Sequence, residues 1–155
     1  MKRIISAITT LLLCSSFIYS QEQSDIPKSN KANVILADAS IIPWVGIRTT
    51  MSYDFRFNEK NSGIGAKIGV GYVVGAGAPD IDAKLNWLLG GKRHYCDAGI
   101  GAIIGPGNYI FGSANLGYRF QPLSGHFVAK IGLSAIILSF DGILPGLEIG
   151  IGYKF

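Results

Sequence analysis

Charge is scarce in this chain: Asp, Glu, Lys and Arg make up 15% of its 155 residues. The side chains that most often carry chemistry are scarcer still, with two histidines and two cysteines. His94 and His126 have no Ser, Cys or carboxylate pair fixed beside them by spacing, and no third ligand of similar character. They therefore offer neither a catalytic triad nor a metal site, and no enzymatic activity and no cofactor are expected. Of the 14 basic residues, Lys2 and Arg3 stand at the very start; without them 12 face 10 acidic residues. That balance leaves no basic face for nucleic acid. An apolar run able to cross a membrane as a helix is missing too, because Ser6, Thr9, Thr10, Ser15 and Ser16 dilute the longest one, Ile4 to Tyr19.

That diluted run has another reading. Met1-Lys2-Arg3, an apolar stretch and then Ser20-Gln21 with a polar tail is the layout of a cleavable signal peptide, residues 1–20, with cleavage after Ser20. A lipoprotein signal at Cys14 is the alternative, although Leu13 is bulky for one. In either case Cys96 has no cysteine partner within the chain. Residues 21–32 (QEQSDIPKSNKA) are polar, contain a proline and have no period, which reads as a short disordered tail.

Glycine, by contrast, is abundant, with 21 residues, and lies inside the apolar segments rather than between them. Each glycine costs a helix about 1 kcal/mol relative to alanine, so this placement disfavours helices. The glycine runs 63–69 and 99–105 miss the dinucleotide fingerprint by one residue, and no helix follows them. From residue 33 onward the period is 2, the signature of strands with two unlike faces. Residues 45–57 set Val45, Ile47, Thr49, Met51, Tyr53, Phe55 and Phe57 against Gly46, Arg48, Thr50, Ser52, Asp54 and Arg56. The same alternation recurs over 64–74, 80–89, 94–104, 109–120, 126–136 and 146–155, with turn residues between. Residues 33–41 form a weaker strand, whose phase follows if Asp38 and Ser40 lie on the polar side.

Eight alternating strands at hairpin spacing predict an all-β, eight-stranded antiparallel up-and-down barrel over 33–155. Such a barrel is apolar inside and soluble, or apolar outside and transmembrane. The polar face decides, because it is crowded with Gly65, Gly69, Gly71, Gly99, Gly101, Gly117, Gly132, Gly150 and Gly152. Glycine is a poor solvent surface, but small residues beside long charged ones suit a narrow interior. The lumen would then hold Arg48, Arg56, Lys67, Lys84, Arg119, Lys130 and Lys154 with Asp54, Asp82, Asp97 and Glu148. That is seven cations against four acids, or five if Asp38 joins them, in a lumen plugged by ion pairs. With the N-terminus in the periplasm, the even-numbered strands end at that side in Phe55/Phe57, Trp87, Tyr118/Phe120 and Tyr153/Phe155, an aromatic girdle at the headgroups. The short connections are expected on that side as well.

The pattern over residues 33–155 resembles the small eight-stranded outer-membrane β-barrels of Gram-negative bacteria, particularly an uncharacterised group with signal peptides. The residues that carry the likeness are Asn86-Trp87-Leu88-Leu89-Gly90, Gly117-Tyr118-Arg119-Phe120-Gln121-Pro122 and the terminal Gly152-Tyr153-Lys154-Phe155. The resemblance implies the outer membrane as location and its lipid as surroundings. It also implies recognition of the last strand, through Ile149, Ile151, Tyr153 and Phe155, by the outer-membrane assembly machinery. Three roles follow as expectations. The first is a structural or surface-interaction role through extracellular loops, with no partner specified. The others are a narrow channel or lateral route for small apolar molecules, and a lipid-modifying enzyme, which the absent Ser/His pairing disfavours.

Overall fold

In the computed structural model, which describes residues 33–58, 61–138 and 142–155, the chain is one closed barrel. The expected signal peptide and tail lie outside these residues. The strands are β1 (Val34–Ile42), β2 (Gly46–Arg56), β3 (Gly63–Val73), β4 (Ala78–Gly91), β5 (His94–Ile104), β6 (Ile110–Phe120), β7 (Phe127–Leu138) and β8 (Gly142–Lys154). Each pairs antiparallel with its neighbours in sequence, and β1 closes the ring on β8, Val34 facing Lys154 and Ile41 facing Leu147. Phe155 N–H donates to Asn33 O at 3.0 Å, so both ends of the described chain meet at one rim, here the terminal rim.

The alternation fixes which way each side chain points. Met51, Ile68, Leu85, Ile100 and Leu133 all face outward and are exposed, whereas Asp54 and Arg119 on the other face are 0% and 1% exposed. β1 has the expected phase, with Asp38 and Ser40 buried inside. An exterior of isoleucine, leucine and valine around an interior of ion pairs is the reverse of a water-soluble protein. Hydrocarbon is the solvent that this surface fits.

Three expectations need correction. β8 begins at Gly142 rather than 146, running through Pro145, and β4 begins at Ala78, running through Pro79. The short connections are not confined to the terminal rim, because the opposite rim is joined only by residues 43–45, 74–77, 105–109 and 139–141. The interior is also not polar throughout. Val34, Leu36 and Val128 form a buried apolar cluster near the terminal rim, while Ile42 and Ile103 are buried near the other. At that opposite rim Val45 N–H donates to Ile42 O (3.2 Å), closing a turn in which Trp44 has φ 64. Glycine is the usual residue at such a position, so this exposed tryptophan is held at some conformational cost.

The orientation of the faces predicts that Leu85→Arg, placing a cation on the outer wall, destabilises the barrel in lipid by about 2–4 kcal/mol, whereas Leu85→Phe is nearly neutral. Urea unfolding in vesicles measures both; equal effects would contradict the assigned outer face.

Candidate functional site

Twelve of the inward charged groups form two alternating chains. The longer runs Asp38, Lys67, Glu148, Lys130, Asp97, Arg119, Asp54, Arg56. Lys67 pairs closely with Asp38 and lies 3.9 Å from Glu148, whose Oε1 is 3.1 Å from Lys130 Nζ. Asp97 Oδ2 stands between Lys130 at 3.6 Å and Arg119 at 3.8 Å. Asp54 then bridges Arg119 and Arg56 and accepts a bond from Asn86 Nδ2 at 3.2 Å. The shorter chain runs Asp80, Arg48, Asp82, Lys84: Arg48 grips Asp80 through Nε (2.9 Å) and Nη2 (2.5 Å), and Asp82 lies 3.3 Å from Arg48 and 3.1 Å from Lys84.

The sequence reading named Arg48, Asp54, Arg56, Lys67, Asp82, Lys84, Asp97, Arg119, Lys130 and Glu148 for this network, and all are in it. Lys154 is not. It lies on the inner face at the terminal rim, beside the apolar cluster rather than an acid, and its Nζ donates to the carbonyls of Pro122 (2.7 Å) and Leu123 (2.9 Å). Asp80 was missed, and Asp38 was only a conditional member. With both in and Lys154 out, Arg48, Arg56, Lys67, Lys84, Arg119 and Lys130 balance Asp38, Asp54, Asp80, Asp82, Asp97 and Glu148. A row of seven cations against four or five acids becomes six against six. The balance suits buried groups, since an unmatched buried charge is far more costly than a matched pair.

Inward glycines make the arrangement possible. A Cβ on Gly65 would lie 2.7 Å from Arg56 Cζ, one on Gly101 2.7 Å from Lys84 Cγ, and one on Gly71 3.0 Å from Arg48 Nη2. Each long arm therefore lies across a position where any larger residue would displace it.

Outside, the proposed girdle residues Phe55, Phe57, Trp87, Tyr118, Phe120, Tyr153 and Phe155 all sit on the outer face toward the terminal rim. Tyr53, not included at first, links them, with ring centroids 6.0 Å from Phe55 and 6.2 Å from Phe155. Both histidines belong to this belt. His94 Nδ1 is 2.5 Å from the Tyr118 hydroxyl, and the ring of His126 stacks on Tyr153 at 4.8 Å. The opposite rim also carries exposed aromatics, Trp44, Tyr72 and Tyr109; alternation puts Tyr72 on the outer face, whereas Trp44 lies in a turn and Tyr109 just before β6. Ile149, Ile151 and Tyr153 of β8 and Phe155 just after it form one exposed outer stripe.

Solved structures share this architecture. A de novo designed transmembrane β-barrel matches with a TM-score of 0.67 at 11% identity, covering 86% of this chain and all of the other (100%). The N-terminal β-barrel domain of Pseudomonas aeruginosa OprF also matches at 0.67 and 11% identity, over 81% of this chain and 98% of that domain. The outer membrane protein Ail of Yersinia pestis, in a phospholipid nanodisc, matches at 0.53 and 13% identity, over 81% of this chain and all of that one (100%). This is the transmembrane barrel fold. At such identities the likeness is one of fold alone, and a designed barrel scores as high as a natural domain. No protein-family model matches the chain, and no curated protein does.

Asp54 is the junction of the network, so Asp54→Ala leaves two guanidinium groups without their shared acid. The expected loss is on the order of 3–5 kcal/mol in urea unfolding. Lys154→Ala, outside the network, should cost clearly less, and the opposite order would break the assignment of Asp54 as the junction.

Proposed function

We propose that this chain is a small integral barrel of the bacterial outer membrane, structural in role and closed to ions. The observation that carries the reading is the balanced chain of ion pairs across the lumen. An eight-stranded barrel has an interior just wide enough for side chains to fill, and here the paired groups are almost wholly buried. A conducting pore needs wet, accessible charge along its axis, and the apolar residues at both ends of this lumen oppose it.

The outer-membrane location rests on the outward apolar belt, the aromatic residues at both rims and the signal-like residues 1–20, and the likeness to Ail, an outer membrane protein, agrees with it. Export through that signal would bring the chain to the assembly machinery, with Ile149, Ile151, Tyr153 and Phe155 as the stripe presented. A surface-interaction role would use the barrel wall or the aromatic rim, since the short connections at the rim away from the termini leave little loop to offer. A catalytic role is disfavoured because His94 and His126 are engaged with ring partners in the girdle.

Planar-bilayer recording of the refolded protein is expected to show no steady conductance. A stable open level would instead support the channel reading. Deleting Phe155 removes both the end of the outer stripe and the backbone bond to Asn33. It should lower the membrane-inserted fraction, read from the gel shift between heated and unheated samples; an unchanged shift would remove the terminal residue from assembly.

A further inference from the structure

Among the described residues only two charged side chains are exposed, Lys92 and Arg93, and both stand in the turn between β4 and β5 at the terminal rim. His94 and His126 are exposed on the same side. The rim away from the termini is made differently. Its connections 43–45, 74–77 and 105–109 contain no charged residue. The outer belt runs straight into them, with Ile104, Ile110 and Ile143 leading to Trp44, Val74 and Tyr109, all exposed. The fourth connection, 139–141, lies outside the described residues and holds one acid, Asp141.

The backbone of this rim asks little of water. Val45 N–H donates to Ile42 O (3.2 Å), Val74 N–H to Ile47 O (2.9 Å) and Gly105 N–H to Tyr109 O (2.9 Å). Four of the chain's six prolines, Pro43, Pro79, Pro106 and Pro145, lie here and bring no N–H. Two of them stand where a donor would have no strand to meet. In β8, Phe155 N–H donates to Asn33 O and Lys154 N–H to His126 O, so odd-numbered residues face β1, and the β1–β8 register ends at Leu147, short of Pro145. In β5, Gly105 N–H points to the β6 side, so Ile104 faces its partner Ile81 in β4; Pro79 has the same sense as Ile81 and lies beyond the end of that register. A membrane is the solvent in which an unpaired N–H costs most.

The height of the belt sets the depth. On β4 the outward positions run from Trp87 of the girdle to Pro79, eight residues away. At a rise of about 3.4 Å per residue and a strand tilt of about 40°, that is roughly 20 Å, no more than the apolar band of about 25 Å that transmembrane barrels present. Hydrocarbon therefore reaches the end of β4, and the turn 74–77 beyond it meets the lipid interface. Trp44, Tyr72 and Tyr109 are the amphipathic rings that this layer favours.

We propose that the rim away from the termini does not emerge into water but is seated in the lipid interface of the leaflet it reaches, leaving the terminal rim as the end open to aqueous partners. The occupant is the lipid layer, because the rim continues the belt that faces hydrocarbon and its described residues offer no exposed charge to a soluble partner. This rests on the membrane reading. It narrows a surface-interaction role to partners that are themselves in the membrane or that approach the terminal rim.

The test uses the full chain with Cys14→Ser and Cys96→Ala, refolded into phosphatidylcholine vesicles, with a nitroxide attached at one new cysteine at a time. Ala76→Cys and Tyr109→Cys report on the rim in question, Leu133→Cys on the outer wall and Ser124→Cys on the terminal rim. Spin relaxation is measured with oxygen, which concentrates in lipid, and with a neutral nickel chelate, which stays in water. Oxygen should outweigh nickel at Ala76→Cys and Tyr109→Cys, as at Leu133→Cys, while nickel outweighs oxygen at Ser124→Cys. Nickel outweighing oxygen at either rim position, or oxygen outweighing nickel at Ser124→Cys, would overturn the proposal. Exclusion of both reagents from Ala76→Cys and Tyr109→Cys would assign the rim to a second copy and overturn it too. Nickel outweighing oxygen at Leu133→Cys would overturn the membrane reading and the seated rim with it.

Discussion

Neutralising charge inside a closed wall is the constraint on which this structure depends. The outer face carries no charged residue in the described strands, so the charges of the strands are confined to the lumen, where most of them are buried. Coulomb attraction between partners compensates for their desolvation only when every group has a partner in good geometry. The alternating order of cation and carboxylate along each chain goes most of the way, since every interior member has opposite charge within 3.9 Å on both sides, while Asp38 Oδ1, Asp82 Oδ1, Arg119 Nε and Glu148 Oε2 are buried without a protein hydrogen-bond partner. The glycines serve the same constraint. Gly65, Gly71 and Gly101 are the floor on which the long arms of Arg56, Arg48 and Lys84 lie.

Most of this could be read from the sequence because a strand's side-chain period is two and the environments on its two faces differ sharply. Alternation identified which residues share a face, and thus ten of the twelve members of the network. What alternation lacks is height. Lys154 shares the inner face with Lys130, yet it lies at the rim where the inner wall is Val34, Leu36 and Val128, and carbonyl oxygens rather than carboxylates receive it. The same limitation hid the apolar residues buried near each end of the lumen, Val34, Leu36 and Val128 at one and Ile42 and Ile103 at the other. Asp80 was missed for a different reason: it opens the alternating stretch 80–89 directly after Pro79 and was not counted with the inner face, although it shares the phase of Asp82 and Lys84.

Proline interrupts a ladder only on the side its nitrogen faces. In β8, Pro145 keeps its pairing to β7 because its missing donor points toward β1, where pairing has already ended. Pro79 stands in the same relation to β5. A sequence reading that treats proline as a break on both sides therefore starts β8 four residues late and β4 two residues late, and it overlooks Leu144 on the inner face near that rim. The turn between β1 and β2 shows a related effect. Trp44 occupies a position where glycine would be easier for the backbone, which suggests that an aromatic ring at this rim is worth its conformational cost.

The ring's connectivity has a consequence for the order in which it forms. Seven of the eight pairings join strands adjacent in the chain, and each can zip from its own connection. The eighth, β1 to β8, joins Val34 to Lys154 and must wait for the two ends of the sheet to meet. Loop-closure entropy makes such a distant contact slow, and it is the one pairing that no local turn assists. Asp38 stands on β1 and Glu148 on β8, and Lys67 of β3 reaches both. Before the ends join, the network is an open row with Asp38 and Glu148 at its two margins; closure brings them to the same lysine. Sealing the wall and completing the charge balance are therefore one event, and a half-closed sheet would leave both its strand edges and its lumen charges unmet.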